Sequence, residues 1–126
     1  MVNVMFVDDD REEYQLFCEA LQESFSSPVN CVFVNDGQRA LEMLGKLAVL
    51  PDYVFLDVNM PRMGGVECLQ KLRSNARFTE LRVIMQSNTA HPEDLDKMRR
   101  LGASYIMKPK SFNELVSVIK TIIKNE

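Results

Sequence analysis

The chain has 126 residues, of which 46% are hydrophobic and 26% are charged, a composition typical of globular proteins. This length favours a single domain, residues 1–126, with one hydrophobic core. The formal net charge of −3 does not support nucleic-acid binding, and no apolar stretch approaches the roughly 20 residues that span a bilayer. We therefore expect no nucleic-acid partner, no membrane segment and no signal peptide.

The cysteines and the histidine argue against several kinds of site. Cys18, Cys31 and Cys68 are an odd number at wide spacing, which is typical of reduced thiols rather than of disulfides or a zinc site. The single histidine, His91, leaves no basis for a histidine metal site or a Ser-His-Asp triad. We expect a cytoplasmic protein.

Short apolar runs alternate with amphipathic segments along the chain, which predicts five strands, each followed by a helix. The strands are predicted at residues 2–7, 31–34, 53–57, 82–86 and 105–107. Alternation at this spacing predicts an α/β fold with a doubly wound, five-stranded parallel sheet and helices on both faces. We expect no linker and no second domain after the fifth helix.

Several helices carry recognisable start and stop signals. Asp10 is predicted to cap the first helix, and Ser111 the fifth, where Glu114 completes a capping box. Pro92 suits the first turn of the fourth helix, and Gly102 its end. The apolar stripe of the fifth helix is predicted to comprise Phe112, Leu115, Val116, Ile119, Ile122 and Ile123.

The third strand is the chemical centre of the sequence. Residues 53–57 are apolar up to the last one, Asp57, and a turn with Pro61, Gly64 and Gly65 follows. The run indicates a central strand that is buried on both faces. Ligands of open α/β sheets bind at the carboxyl ends of the strands, so we expect Asp57 to be a reactive group.

Four of the five strands end in polar side chains that parallel pairing would bring to one edge of the sheet. These are Asp8, Asp9 and Asp10 after the first strand, Asp57 at the end of the third, Ser87 after the fourth and Lys108 after the fifth. Taken singly, each has an ordinary explanation as a cap or turn residue. Together, the carboxylates would repel one another unless a hard divalent cation such as Mg²⁺ lay between them. With that cation, Asp57 can attack a phosphoryl group whose oxygens contact Lys108 and Ser87.

Known proteins share this combination of motifs. The matching segments are residues 7–10 (VDDD), 56–61 (LDVNMP) and 63–65 (MGG), Ser87, and residues 102–105 (GASY) and 108–109 (KP). Over its whole length the chain resembles the receiver domain of two-component response regulators, the CheY-like family. The resemblance implies strand order 2-1-3-4-5 and, with no effector domain expected, a stand-alone response regulator.

The resemblance also implies a role for each site residue. Asp57 would be the phosphoacceptor. Mg²⁺ would be bound by Asp9, by Asp57 and by the backbone carbonyl of Asn59, while Asp8 would act largely through water. Lys108 would contact the phosphoryl group, and its peptide bond to Pro109 would be cis.

A switch and a set of partners follow from the same resemblance. Ser87, a further phosphoryl contact, and Tyr105 would move together on phosphorylation and reshape the face of the fourth helix, fifth strand and fifth helix. That face would bind an unidentified protein target, or a second copy in a weak dimer of an otherwise monomeric protein. A histidine kinase or phosphotransfer protein would be the phosphodonor. The chain would be a signalling phosphoacceptor that promotes its own phosphorylation and dephosphorylation.

Three positions depart from the family pattern. Asn88 stands where a small residue is usual, Gly64 where a polar residue is common, and Lys110 where an aromatic residue is usual. They bear on access to the phosphoryl group and on the packing of the last loop.

Alternative functions belong to other classes. A degenerate receiver would serve only as a protein-interaction module. A haloacid-dehalogenase-like phosphohydrolase would use Asp8 as nucleophile and Asp10 as acid and base, but Glu12 stands where that class has Thr or Val. A flavodoxin-like cofactor module would need a phosphate-binding loop after the first strand, where this chain is acidic.

Overall fold

The structure is a computed structural model that describes residues 1–89 and 91–123. The strands are β1 Val2–Val7, β2 Val29–Val34, β3 Tyr53–Asp57, β4 Val83–Ser87 and β5 Ser104–Met107. The helices are α1 Arg11–Ser24, α2 Gly37–Lys46, α3 Gly65–Arg73, α4 Pro92–Arg100 and α5 Phe112–Ile122, with a short 3-10 helix at Ala76–Phe78. The predicted alternation is confirmed. Residues 124–126 of the predicted domain lie outside the described residues.

The five strands form one parallel sheet in the order β2-β1-β3-β4-β5, which confirms the order that the resemblance implied. The register pairs Val7 of β1 with Leu56 of β3, and Asp57 with Gln86 of β4. Neighbouring strands therefore end at the same edge of the sheet. Every residue of β3 is buried, as expected for a central strand.

Each face of the sheet carries its own hydrophobic core. Side chains of β3 alternate between the two, because successive residues of a strand point to opposite faces. Val54 and Leu56 belong to the core that includes residues of α2, α3 and α4. Tyr53 and Phe55 belong to the core that includes residues of α1 and α5. The two packed faces leave the strand ends as the place where polar groups meet solvent.

The helix signals are confirmed with two differences. Asp10 caps α1 through its side chain, and the Ser111 hydroxyl accepts from the Glu114 N–H at 3.1 Å. The Glu114 carboxylate, however, accepts from the N–H of Lys110 rather than from that of the cap residue. Phe112, the first residue of the predicted apolar stripe, is 38% exposed. It is the first residue of α5, and the buried residue of that helix is Ile119, two turns further on.

None of the helices in residues 1–89 and 91–123 has the length and apolar character that crossing a membrane requires.

Candidate functional site

Three carboxylates meet at the carboxyl edge of the sheet. Asp8 and Asp9 follow β1 and Asp57 ends the neighbouring β3, and one carboxylate oxygen of each lies within 4.8 Å of the other two. Asp8 and Asp57 are buried, whereas Asp9 is exposed, so the cluster opens to solvent on one side. Oxygen donors of this kind fit Mg²⁺, which prefers one or two carboxylates and keeps several waters. The residues present therefore suit the cation that the sequence predicts.

Local hydrogen bonds orient these carboxylates. The Asp10 N–H donates to Asp8 Oδ1 at 2.9 Å, and the Asn59 N–H donates to Asp57 Oδ1 over a longer 3.4 Å. Asp10 itself turns away from the cluster, because its Oδ1 accepts from the N–H of Glu12 at 2.9 Å and caps α1. The structure thus brings together Asp8, Asp9 and Asp57, and it assigns Asp10 to the helix.

Lys108 is the cation that faces this cluster. Its ammonium Nζ lies 3.4 Å from Asp57 Oδ1, 3.4 Å from Asp8 Oδ2 and 2.7 Å from Glu13 Oε2. The backbone holds it there, since the Lys108 N–H donates to the Ser87 carbonyl at 2.8 Å. The sequence prediction that Lys108 reaches the site of Asp57 agrees with these contacts.

The peptide bond after Lys108 is not cis. No cis peptide bond occurs in residues 1–89 and 91–123, so the implied cis bond between Lys108 and Pro109 is wrong for this structure. The trans form is the one that most prolyl bonds adopt, because it is favoured by about 0.5–1 kcal/mol. Lys108 reaches the carboxylates with a trans bond.

Burial sets the protonation of the site. It raises the pKa of Asp8 to about 8, helped by a hydrogen bond with Glu13 and opposed by the Asp10 N–H. Burial also raises the pKa of Asp57, while Lys108 opposes the shift. For Lys108, burial lowers the pKa, but the hydrogen bond to Glu13 and the charges of Asp57 and Asp8 outweigh it and leave a raised value. The site therefore combines a charged lysine with two buried carboxyl groups that bind a proton more readily than exposed carboxyl groups do.

Glu13 is the residue that sequence reasoning missed. It lies in the first turn of α1, three residues after the cap Asp10, where a glutamate is expected to bond back to the cap. Instead its carboxylate accepts the shortest hydrogen bond of Lys108. The sequence does show an acidic residue in the first helical turn after β1. It does not show that the partner of this residue is Lys108, 95 residues further along the chain.

Ser87 and Tyr105 form a second polar group beside the cluster. The Ser87 hydroxyl donates to the Thr89 carbonyl at 2.6 Å, and it lies 3.0 Å from the Tyr105 hydroxyl. Because the one proton of Ser87 is used by Thr89, the Tyr105 hydroxyl is the donor in that second bond. Among the described residues no hydrogen bond joins Ser87 to Asp57. The two predicted switch residues are thus in contact, and Ser87 is engaged away from the carboxylates.

The loop after β3 depends on Gly65 and Arg62. A Cβ on Gly65 would lie 2.2 Å from the backbone oxygen of Asp57, so only glycine permits this close approach. The left-handed residue of the turn is Arg62, with φ of 66°, whereas Gly64 has an ordinary φ of −70°. The chain therefore turns at Arg62 rather than at the paired glycines. Asn59, the proposed carbonyl ligand, is exposed beside Asp57.

The fold and this acidic edge define a class of signalling domain. A family model described as the response regulator receiver domain matches residues 4–120. The chain therefore belongs to the response regulator receiver domain family, as its sequence motifs indicate, and is a receiver domain of two-component signalling.

Individual relatives agree with this family. The transcriptional regulatory protein CpxR of Escherichia coli is 36% identical over 128 residues, which cover 98% of this chain and 50% of CpxR. The phosphorylated cyanobacterial phytochrome response regulator RcpA is 27% identical with a TM-score of 0.86, covering 96% of this chain and 90% of RcpA. The chemotaxis protein CheY4 of Vibrio cholerae is 25% identical with a TM-score of 0.80, covering 98% of this chain and 99% of CheY4. This chain spans half the length of CpxR.

Proposed function

We propose that Asp57 is the phosphoacceptor of this receiver domain, and that Mg²⁺ is bound beside it. Asp9, Asp57 and the backbone carbonyl of Asn59 would be the ligands, with Asp8 acting through water. The observation that carries the proposal is the meeting of three carboxylates within 4.8 Å of one another, with Lys108 Nζ 3.4 Å from Asp57. The name of the relative RcpA, which describes a phosphorylated response regulator, supports it.

The phosphoryl transfer is a single displacement at phosphorus. One Asp57 carboxylate oxygen forms the new P–O bond while the bond between phosphorus and the donor imidazole nitrogen breaks, and that nitrogen keeps the electron pair. Lys108 would contact one phosphoryl oxygen, and Ser87 would donate to another. When bound, Mg²⁺ would neutralise charge on the phosphoryl oxygens. The same groups would promote the later attack of water on phosphorus, which restores the free carboxylate.

Ser87 and Tyr105 would couple phosphorylation of Asp57 to a change at the protein surface. To donate to a phosphoryl oxygen, the Ser87 hydroxyl has to leave the Thr89 carbonyl, and a rotation of the Ser87 side chain toward that oxygen would also take the acceptor away from the Tyr105 hydroxyl. A side chain that loses its hydrogen-bond partner is free to adopt another position. We expect this exchange to reshape the face of α4, β5 and α5 for an unidentified protein target.

A histidine kinase or phosphotransfer protein would supply the phosphoryl group, and we expect signalling in the cytoplasm by a monomer or a weak dimer through that face. On α4, Arg99 and Arg100 both pair with Asp96, and Lys97 is exposed. The basic residues of this helix, Lys97, Arg99 and Arg100, all lie in its last turn, so an acidic protein partner would bind at that end of α4.

The alternative functions fit the geometry less well. A phosphohydrolase that used Asp8 as nucleophile would need a free carboxylate there and an available Asp10. Asp8 is instead fully buried, and Asp10 is used as a helix cap. A degenerate receiver would lack one of the reactive groups, whereas here Asp57, Asp9 and Lys108 are all present.

The test is to incubate the protein with acetyl phosphate and Mg²⁺, trap the acyl phosphate with hydroxylamine and map the modified residue. We expect Asp57 to be modified, and we expect Asp57→Asn to abolish labelling while the far-UV circular dichroism stays unchanged. Labelling of Asp8, or wild-type labelling of the Asp57→Asn variant, would contradict the proposal. Phosphorylated and unphosphorylated protein should also differ in affinity for the target, which a pure interaction module would not show.

A further inference from the structure

Lys108 contacts the carboxylates of Asp8, Asp57 and Glu13 at different distances. Its Nζ lies 2.7 Å from Glu13 Oε2, the length of a strong charge-assisted hydrogen bond, and 3.4 Å from both Asp57 and Asp8. The strongest partner of Lys108 is therefore Glu13, which lies outside the cluster of Asp8, Asp9 and Asp57. Glu13 belongs to α1, and its side chain is 34% exposed.

A phosphoryl group on Asp57 needs a hydrogen bond from Lys108, whose ammonium already bonds to other carboxyl groups. An ammonium has three donors and no acceptor, and three carboxylates already lie around this one. Two of these donors already bond to Glu13 and Asp8, so a phosphoryl oxygen on Asp57 competes with these carboxyl groups for Lys108. Asp57 is modified in that reaction and stays beside the phosphoryl group, and Asp8 stays buried. Glu13, which water reaches, is the partner that can be released at the lowest cost.

The protein leaves room for this exchange. A cavity of about 180 Å³ lies on the α1 and α5 side of the sheet, and its walls include Glu13, Lys108 and Gln86. The Gln86 side chain is buried, and within the described part of the chain its carboxamide has no hydrogen-bond partner. An unused buried donor is uncommon in proteins. Gln86 and Glu13 line the same cavity, so the Gln86 amide is a candidate donor for a Glu13 carboxylate that has left Lys108.

We propose that Glu13 is a positioning residue that competes with the phosphoryl group for Lys108, and so weakens the phosphorylated state relative to the unphosphorylated one. This inference rests on the proposed role of Asp57. Without the charge of Glu13, Lys108 would be free to contact the phosphoryl group.

The experiment measures binding of beryllofluoride, an analogue of the phosphoryl group, by ¹⁹F NMR at saturating Mg²⁺. Glu13→Gln keeps the shape of the side chain and removes its charge, and we expect it to tighten beryllofluoride binding about 3- to 10-fold, since the ion pair is partly exposed. Glu12→Gln is the matched control. Glu12 lies in the same helical turn, is exposed and makes no ion pair among the described residues, so we expect a change of less than about twofold.

A second comparison separates competition for Lys108 from a structural effect. In a Lys108→Met background, Glu13→Gln should leave beryllofluoride affinity unchanged, because the group for which Glu13 competes is gone. A merely structural role for Glu13 would not produce this coupling. The Mg²⁺ affinity of each variant is measured separately, so that a change in metal binding is not mistaken for competition.

The outcomes distinguish the inference from the function on which it rests. If the wild type does not bind beryllofluoride, or if Asp57→Asn binds it equally well, the role of Asp57 is wrong. If the wild type binds through Asp57 but Glu13→Gln binds with equal or lower affinity, the competition is wrong. A gain that Glu12→Gln matches, or that persists in the Lys108→Met background, overturns it as well.

Discussion

Replacing Lys108 with methionine removes the charge that holds the acidic edge together while keeping an unbranched side chain of similar length. Among the described ion pairs, those of Asp57 and Asp8 involve only Lys108. The variant would therefore bury these two carboxyl groups, with Glu13 beside them, without a cation. We expect the metal-free protein to lose stability.

The size of the loss follows from the distances and the exposure. Two unit charges 4 Å apart interact by about 1 kcal/mol in water and about 4 kcal/mol at an effective dielectric constant of 20. Removing one partner of a fully buried pair costs about 3–5 kcal/mol. Here the side chains of Lys108 and Glu13 are 15% and 34% exposed, so water compensates in part. We expect Lys108→Met to reduce the free energy of unfolding by about 2 kcal/mol at pH 7.5.

Urea unfolding in EDTA, followed by far-UV circular dichroism because the chain has no tryptophan, measures this loss. With a urea m-value of about 2 kcal/mol/M, the midpoint should fall by about 1 M. The difference should narrow in acid as Asp57, whose pKa burial raises, takes up a proton. Mg²⁺ should restore more stability to the variant than it adds to the wild type. Equal midpoints in EDTA, or equal gains from Mg²⁺, would refute the reasoning.

Three further predictions concern the surroundings of the site. Gly65→Ala places a Cβ 2.2 Å from a backbone oxygen and should cost at least about 2 kcal/mol in urea unfolding and weaken Mg²⁺ binding. The control is Gly45→Ala in α2, where an added Cβ has no atom within 4 Å and should stabilise the helix by about 0.5–1 kcal/mol. If Gly65→Ala were the more stable of the two variants, the loop geometry would be contradicted. Tyr105→Phe removes one donor to Ser87 and should cost about 0.5–1.5 kcal/mol, and a larger loss would mean that the ring packing changes too. In EDTA, stability should decline as pH rises from 5 to 8.5, by at most about 1.4 kcal/mol per pH unit, because a carboxyl with a raised pKa stabilises the fold only while it is protonated. Asp8→Asn should flatten that decline, and an unchanged slope would show that another group titrates.

Local patterns predicted the centre of the fold well and its edges less well. The strand at 53–57 is found with the predicted bounds, because its apolar run ends abruptly at Asp57. The second strand begins two residues earlier than predicted, at Val29, because pairing with Val2 of β1 recruits it. No local pattern indicates such a pairing, since an edge strand takes its length from its neighbour.

In the site, too, some contacts could be predicted from the sequence and others could not. Strand order placed Asp8, Asp9 and Asp57 together, because parallel strands end at one edge. The contact between Glu13 and Lys108 depends on how α1 packs beside the loop after β5, which chain spacing does not define. The engagement of Ser87 with Thr89 likewise depends on a turn conformation that the residue types permit but do not require.

The most direct measurement of the central claim is the identity of the residue that takes up phosphate. After incubation with acetyl phosphate and Mg²⁺, peptide mass spectrometry of the hydroxylamine-treated protein should find the modification at Asp57 alone, and EDTA should abolish it. Modification at Asp8 or Asp9, or labelling that is indifferent to EDTA, would contradict the assignment of Asp57 as the phosphoacceptor beside a magnesium site.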